Sequence, residues 1–215
     1  MTDAADDGTE RGMERDDPRP SSEHRPSDDP RPSDDPRPND ERPPEVVLGE
    51  RLAARGETLA TAESLTGGLI GSRVTDVPGA SDYFDRGFVT YAYNAKRTEL
   101  GVSRESLDAH GAVSAPVARQ MAAGARDRAD VTWGVSATGI AGPGGGRRDK
   151  PVGLVYVGVA YAAPWGSNES FTRSARYVIE GDRSAVKSGS VDRALDELIT
   201  AIRGVETQEP EDQSR

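Results

Sequence analysis

Residues 58–77 read TLATAESLTGGLIGSRVTDV, and the way this stretch changes character decides the fold. Residues 58–62 are a short apolar run of strand length, whereas Leu69, Ile70, Val74 and Val77 recur at helical spacing until Pro78 and Gly79 stop them. Between the two lies a polar turn, 63–68, whose paired glycines suit a sharp change of direction. The stretch reads as a buried strand that turns abruptly into a helix, with Ser64 in the turn.

The alternation continues on both sides. Upstream, residues 47–55 pattern as a helix with Gly56 where a C-terminal cap is expected. Downstream, residues 86–93 alternate Phe88, Thr90 and Ala92 against Val89, Tyr91 and Tyr93 as a strand does, and Asn94 is placed to cap a helix running to Leu100. Ser114 with Pro116 opens another helix, residues 131–137 read as a strand, and residues 138–150 as a glycine-dominated loop. Residues 153–162 and 170–178 pattern as an antiparallel pair of strands before a closing helix over 182–202. This order predicts an α/β fold, a three-layer α/β/α sandwich around a mixed, mostly parallel sheet.

That domain is expected over residues 47–205, because the ends differ in kind. Residues 1–46 carry 15 Asp and Glu against 7 Arg, and RPSDDP occurs twice in succession at 25–30 and 31–36. Such a stretch has almost nothing to bury against the entropy of ordering, so a disordered acidic tail is expected there and a short one over 206–215. No apolar run reaches the length of a membrane span and the N-terminus lacks a secretory pattern, so a cytoplasmic protein without a membrane partner is expected. A net charge of −10 with no basic cluster interleaved with aromatics speaks against nucleic acid. A homo-oligomer is left open.

Absent residue types narrow the chemistry further. Without cysteine there are no disulfides, thiolate nucleophiles or zinc–sulfur sites. The two histidines, His24 and His110, leave little for a His-based metal site, and a Ser–His–Asp triad would have to recruit His110. No metal and no cofactor are expected. Basic charge is almost entirely arginine, which makes Lys96, Lys150 and Lys187 the exceptions.

In open α/β sheets the ligand lies beyond the carboxyl ends of parallel strands, and three unusual segments follow strands here: 64–68, 91–96 and 138–146. The glycine loop matches neither the Walker nor the Rossmann spacing. Its free backbone N–H groups fit an anion nest, and a helix starting near Thr66 would add a favourable dipole; a plain surface loop fits the composition equally well.

Taken together, TAESLTGG at 61–68, GFVTYAYNAK at 87–96, HGAVS at 110–114, TGIAGPGGG at 138–146, KPVG at 150–153 and GDR at 181–183 resemble the CinA C-terminal domain, the nicotinamide-nucleotide amidase family, in order and spacing. The resemblance implies metal-independent conversion of nicotinamide mononucleotide, a small pyridine mononucleotide, to nicotinic acid mononucleotide and ammonia. By the same resemblance Ser64 is the nucleophile, Lys96 its base and Tyr91 a supporting hydroxyl. Substrate contacts are implied at Thr66, Gly67, Gly68, Asn94, Thr138, Gly139, Gly142 and Arg183. Many relatives carry an additional N-terminal domain of molybdopterin-binding type where this chain has its acidic tail, so the amidase half alone is expected. Arg147 and Arg148 stand where relatives often have acidic or small polar residues. Two other readings remain open: a silent pyridine-nucleotide-binding or regulatory module, and an amidase acting on a different small amide.

Overall fold

The structure, a computed structural model, describes residues 42–207. The expected tails therefore lie almost wholly outside the described residues. The first helix, α1 (Pro44–Arg55), begins three residues ahead of the expected domain boundary, with Pro44 in its first turn, where a missing N–H costs nothing. It ends on Gly56 at φ 62°, the left-handed cap the sequence led us to expect.

Strand β1 (Leu59–Glu63) leads through the glycine turn into α2 (Leu69–Thr75), followed by β2 (Phe84–Val89) and α3 (Tyr93–Leu100). Then come α4 (Arg104–His110), α5 (Ala115–Ala129), β3 (Trp133–Gly139), β4 (Leu154–Tyr161), β5 (Phe171–Val178) and α6 (Arg183–Glu206). The sheet order is β2-β1-β3-β4-β5, with β1 parallel to β2 and to β3, and β4 antiparallel to both β3 and β5. Four of the five strands thus point the same way, in a mixed sheet as expected.

Both faces of the sheet are covered, which is why the central strands read as continuous apolar runs rather than alternating ones. Leu59, Trp133, Val135, Val155, Val157 and Val159 pack on one side with Leu48 and Leu52 of α1, Ile70 of α2 and Leu195, Leu198 and Ile202 of α6. Ala60 and Ala62 face the other side, against Val117, Met121 and Ala125 of α5 and Leu100 of α3. Helix α5 lies so close to the sheet that a Cβ on Gly134 or Gly158 would fall within 2.1 or 2.3 Å of its carbonyl oxygens, so only glycine fits. Burying a side chain of Val or Leu size contributes roughly 1.5–3 kcal/mol, so these two layers carry most of the stability.

Three sequence expectations shift. Strand β2 stops at Val89, so Tyr91 and Tyr93 leave the sheet. Helix α3 starts at Tyr93 with Ala92 as its N-cap, which puts Asn94 inside the helix instead of capping it. Strand β3 extends through Thr138 and Gly139, because these two pair with Tyr156 and Val155 of β4.

Candidate active site

The carboxyl ends of β1, β2 and β3 open on one edge of the sheet, and Ser64 is the first residue beyond β1. Its turn is fastened on both sides. The Ser64 N–H donates to the Ala137 carbonyl of β3 at 3.0 Å, and the Thr90 N–H donates to the Glu63 carbonyl at 2.9 Å. Gly67 and Gly68 then take φ of 66° and 100°, values that a side chain would resist.

Glu63, only 1% exposed, does the rest. Its carboxylate accepts the N–H groups of Gly68 at 2.8 Å, Ile70 at 3.0 Å and Gly71 at 2.9 Å, and the Thr61 hydroxyl at 3.2 Å. A negative charge on the first amides of α2 satisfies orphan donors and complements the helix dipole. The N–H groups of Gly68, Ile70 and Gly71 at the start of α2 are thus taken up from within the protein. Sequence reasoning missed Glu63; its only signal was a carboxylate closing an apolar strand directly before a glycine turn.

Lys96 comes in from α3, and although it is a lysine it is 0% exposed. Its Nζ lies 3.0 Å from Ser64 Oγ, 2.6 Å from the Thr90 carbonyl and 3.2 Å from the Tyr91 carbonyl. Both carbonyls lie where the chain leaves β2, whose last residue, Val89, pairs with Glu63 at the end of β1. Among the described residues no carboxylate pairs with Lys96, and burial pushes its pKa down from the ordinary 10.5 to about 8. When neutral, the amine can give its two protons to the two carbonyls and turn its lone pair to the Ser64 hydroxyl. Arginine could not do this, since its guanidinium keeps its charge in proteins.

A second convergence lies beside the first. Arg183, the first residue of α6, donates from Nη1 to the Gly142 carbonyl at 2.7 Å and from Nη2 to the Tyr91 hydroxyl at 3.5 Å. The turn after β2, the glycine loop and the start of α6 therefore meet at the edge where Ser64 sits.

The Tyr91 hydroxyl accepts from Arg183, while the Tyr91 carbonyl accepts from Lys96. Asn94 is exposed on α3, and its carbonyl accepts from Thr98. Thr138 is buried in β3 and donates its hydroxyl to the Ala112 carbonyl at 2.8 Å. Gly139 packs against β4 so tightly that a Cβ would lie 2.6 Å from the Leu154 carbonyl oxygen. Thr66 is fully buried, with no partner for its hydroxyl among the described residues. The His110 and Val113 carbonyls accept from Lys150 at 2.6 and 2.7 Å. Lys150 thereby ties the glycine loop to the turn before α5. Among the described residues, no three side chains of His, Cys, Asp or Glu gather as a metal site would need.

Residues 42–202 match the family model of the CinA C-terminal domain. The chain belongs to the CinA C-terminal domain family. A CinA-like protein of Chlorobaculum tepidum is 48% identical over 162 residues, covering 75% of this chain and 38% of the relative. Another, from Anaeromyxobacter sp. (strain K), is 50% identical over 160 residues, covering 74% and 37%. The chain thus spans under two fifths of the length of these CinA-like relatives. Among solved structures, the competence damage-inducible protein A (ComA) of Klebsiella pneumoniae superposes with a TM-score of 0.69 at 30% identity, covering 74% of this chain and 95% of that one. The competence/damage inducible protein CihA of Agrobacterium tumefaciens gives 0.65 at 38% identity, covering 75% and 97%. The CinA-type α/β fold is therefore the fold of this chain. No helix among the described residues is long and apolar enough to cross a membrane.

Proposed function

We propose that this protein is an amidohydrolase that converts nicotinamide mononucleotide to nicotinic acid mononucleotide and ammonia, with Ser64 as nucleophile and Lys96 as general base. The observation that carries the reading is the buried lysine 3.0 Å from a serine hydroxyl, its pKa lowered to about 8. A serine hydroxyl is a weak nucleophile until a base takes its proton, and a lysine is a base only when its environment disfavours the charge. Placing an ammonium group in such a pocket costs stability that a purely structural residue would not require.

The steps follow from these contacts. Ser64 Oγ attacks the carboxamide carbon while its proton passes to Lys96 Nζ. Lys96 then hands that proton to the amide nitrogen as the C–N bond breaks, which releases ammonia and leaves an acyl ester on Ser64. Water, deprotonated by Lys96, attacks the ester carbon; the C–O bond to Ser64 breaks and the proton returns to the serine. The oxyanion formed at each attack needs nearby N–H donors. The Ser64 N–H is committed to Ala137, and those of Gly68, Ile70 and Gly71 to Glu63. Those of Leu65, Thr66 and Gly67 have no acceptor among the described residues and are the donors assigned to the oxyanion.

Leu69, Val89 and Tyr91, all exposed at the turn, suit a flat aromatic amide, and Arg183 suits its phosphate. The pairing of an activated lysine with a serine favours catalysis over a silent binding module. Ammonia release from nicotinamide mononucleotide, measured at low and high salt, tests the reading. The enzyme releases it in proportion to protein and time, whereas a binding module returns the ligand unchanged.

A further inference from the structure

Lys187 has no role in the chemistry above, yet its position needs an explanation. It lies on α6 one turn after Arg183, so the two cations share a face of the helix. Its Nζ hangs over the turn that follows Ser64: a Cβ built on Gly67 would lie 3.9 Å from it. The side chain is half-buried, and among the described residues no carboxylate lies within ion-pair reach of it. The nearby acids are committed elsewhere. Asp182 caps α6 through the Ala185 N–H, Glu63 holds the amides of α2, and Asp192, further along α6, pairs with Arg73.

Two like charges at this spacing near the start of a helix oppose both each other and the helix dipole. Local stability would favour a carboxylate there. A sequence that keeps an arrangement against its own local preference usually does so for a ligand. The other two lysines each have a structural or chemical reason, Lys96 as base and Lys150 as a tie between loops. A half-buried, unpaired ammonium beside the turn that carries the nucleophile lacks only its anion.

We propose that Lys187 acts with Arg183 as a second cation for the phosphate monoester of the substrate, so that the pair selects the nucleotide over its unphosphorylated nucleoside. The inference rests on the reading under Proposed function, but it concerns recognition and is tested without turnover. Arg183 is braced by the Gly142 carbonyl and so presents a fixed guanidinium, whereas Lys187, on a flexible stem, can follow the phosphate as it settles.

The test is calorimetric binding of nicotinic acid mononucleotide and of nicotinic acid riboside to the full chain as wild type, Lys187→Met and Lys187→Arg. A charge-assisted contact of this kind is expected to make the mononucleotide bind about 10- to 100-fold more weakly to Lys187→Met. The riboside should lose far less, so the preference for the phosphorylated ligand collapses, and Lys187→Arg should restore it. Equal mononucleotide affinity in wild type and Lys187→Met overturns the inference, as does an equal loss for both ligands, which would mark a structural residue. A wild type that binds neither ligand overturns it as well. If the wild type releases no ammonia but its mononucleotide binding still depends on Lys187, the amidase reading fails and the phosphate assignment stands.

Discussion

Lys96 Nζ and Ser64 Oγ lie 3.0 Å apart, although 32 residues separate them in the chain, because α3 directs a fully buried lysine back under the end of β1. The amine is held by two carbonyls and by no carboxylate among the described residues. Burial without a counter-charge is what lowers its pKa.

The first expectation concerns stability and pH. The folded pKa of Lys96, about 8, lies below its ordinary 10.5, so between these values the unfolded chain holds a proton that the folded one does not. Stability therefore rises with pH across that window, by up to about 1.4 kcal/mol per pH unit, and is flat with respect to this group below pH 8. Denaturant unfolding of wild type and Lys96→Met at pH 7, 9 and 10 checks it. The wild type should gain relative to the variant as pH rises; a constant difference would mean that Lys96 has an unshifted pKa.

Glu63→Gln replaces an acceptor of three N–H groups with an amide whose NH2 faces some of the same donors. A loss of about 2–3 kcal/mol is expected from the weakened bonds to a formerly charged group. Turnover should fall as well, since the Ser64 turn hangs from these contacts. Thermal melts together with ammonia release measure both, and unchanged stability would mean that the carboxylate is not holding the turn.

Tyr91→Phe separates two roles. The hydroxyl meets Arg183, the residue assigned to the phosphate, so its loss should raise KM while kcat stays within a factor of about five. A fall in kcat of several hundred-fold would place the hydroxyl in the chemical step instead.

Both core layers close within residues 42–207. A chain beginning at residue 42 should therefore melt within about 3 °C of the full protein, a difference of no more than about 1 kcal/mol for a domain of this size. A drop several times larger would show that the preceding segment supports the core.

Much of this architecture was legible because local patterns and tertiary contacts agree. The turn from apolar strand to glycines to helix over 58–77 reads directly, as does the late hairpin. Ser64 and Lys96 stood out through motif resemblance, and the scarcity of lysine marked Lys96, Lys150 and Lys187 together. What escaped depends on contacts between distant segments. Asn94 has cap chemistry, yet α3 starts earlier at Tyr93. Thr138 sits among glycines, yet pairing with Tyr156 keeps it in the strand. Helix α4 was unread because only Leu107 faces inward, although Ser103 accepts from the Ser106 N–H as a cap should.

The roles of Ser64 and Lys96 are tested by the initial rate of ammonia release from nicotinamide mononucleotide between pH 6 and 10, for wild type, Ser64→Ala, Lys96→Met and the double variant. In the wild type kcat/KM should climb through about pH 8 as Lys96 loses its proton and then level off. Each single variant should lose several orders of magnitude in kcat, and the double variant no more than either, because the two residues act as one unit. Wild-type turnover retained by Lys96→Met across this range, or no ammonia from the wild type at any pH, would contradict these roles.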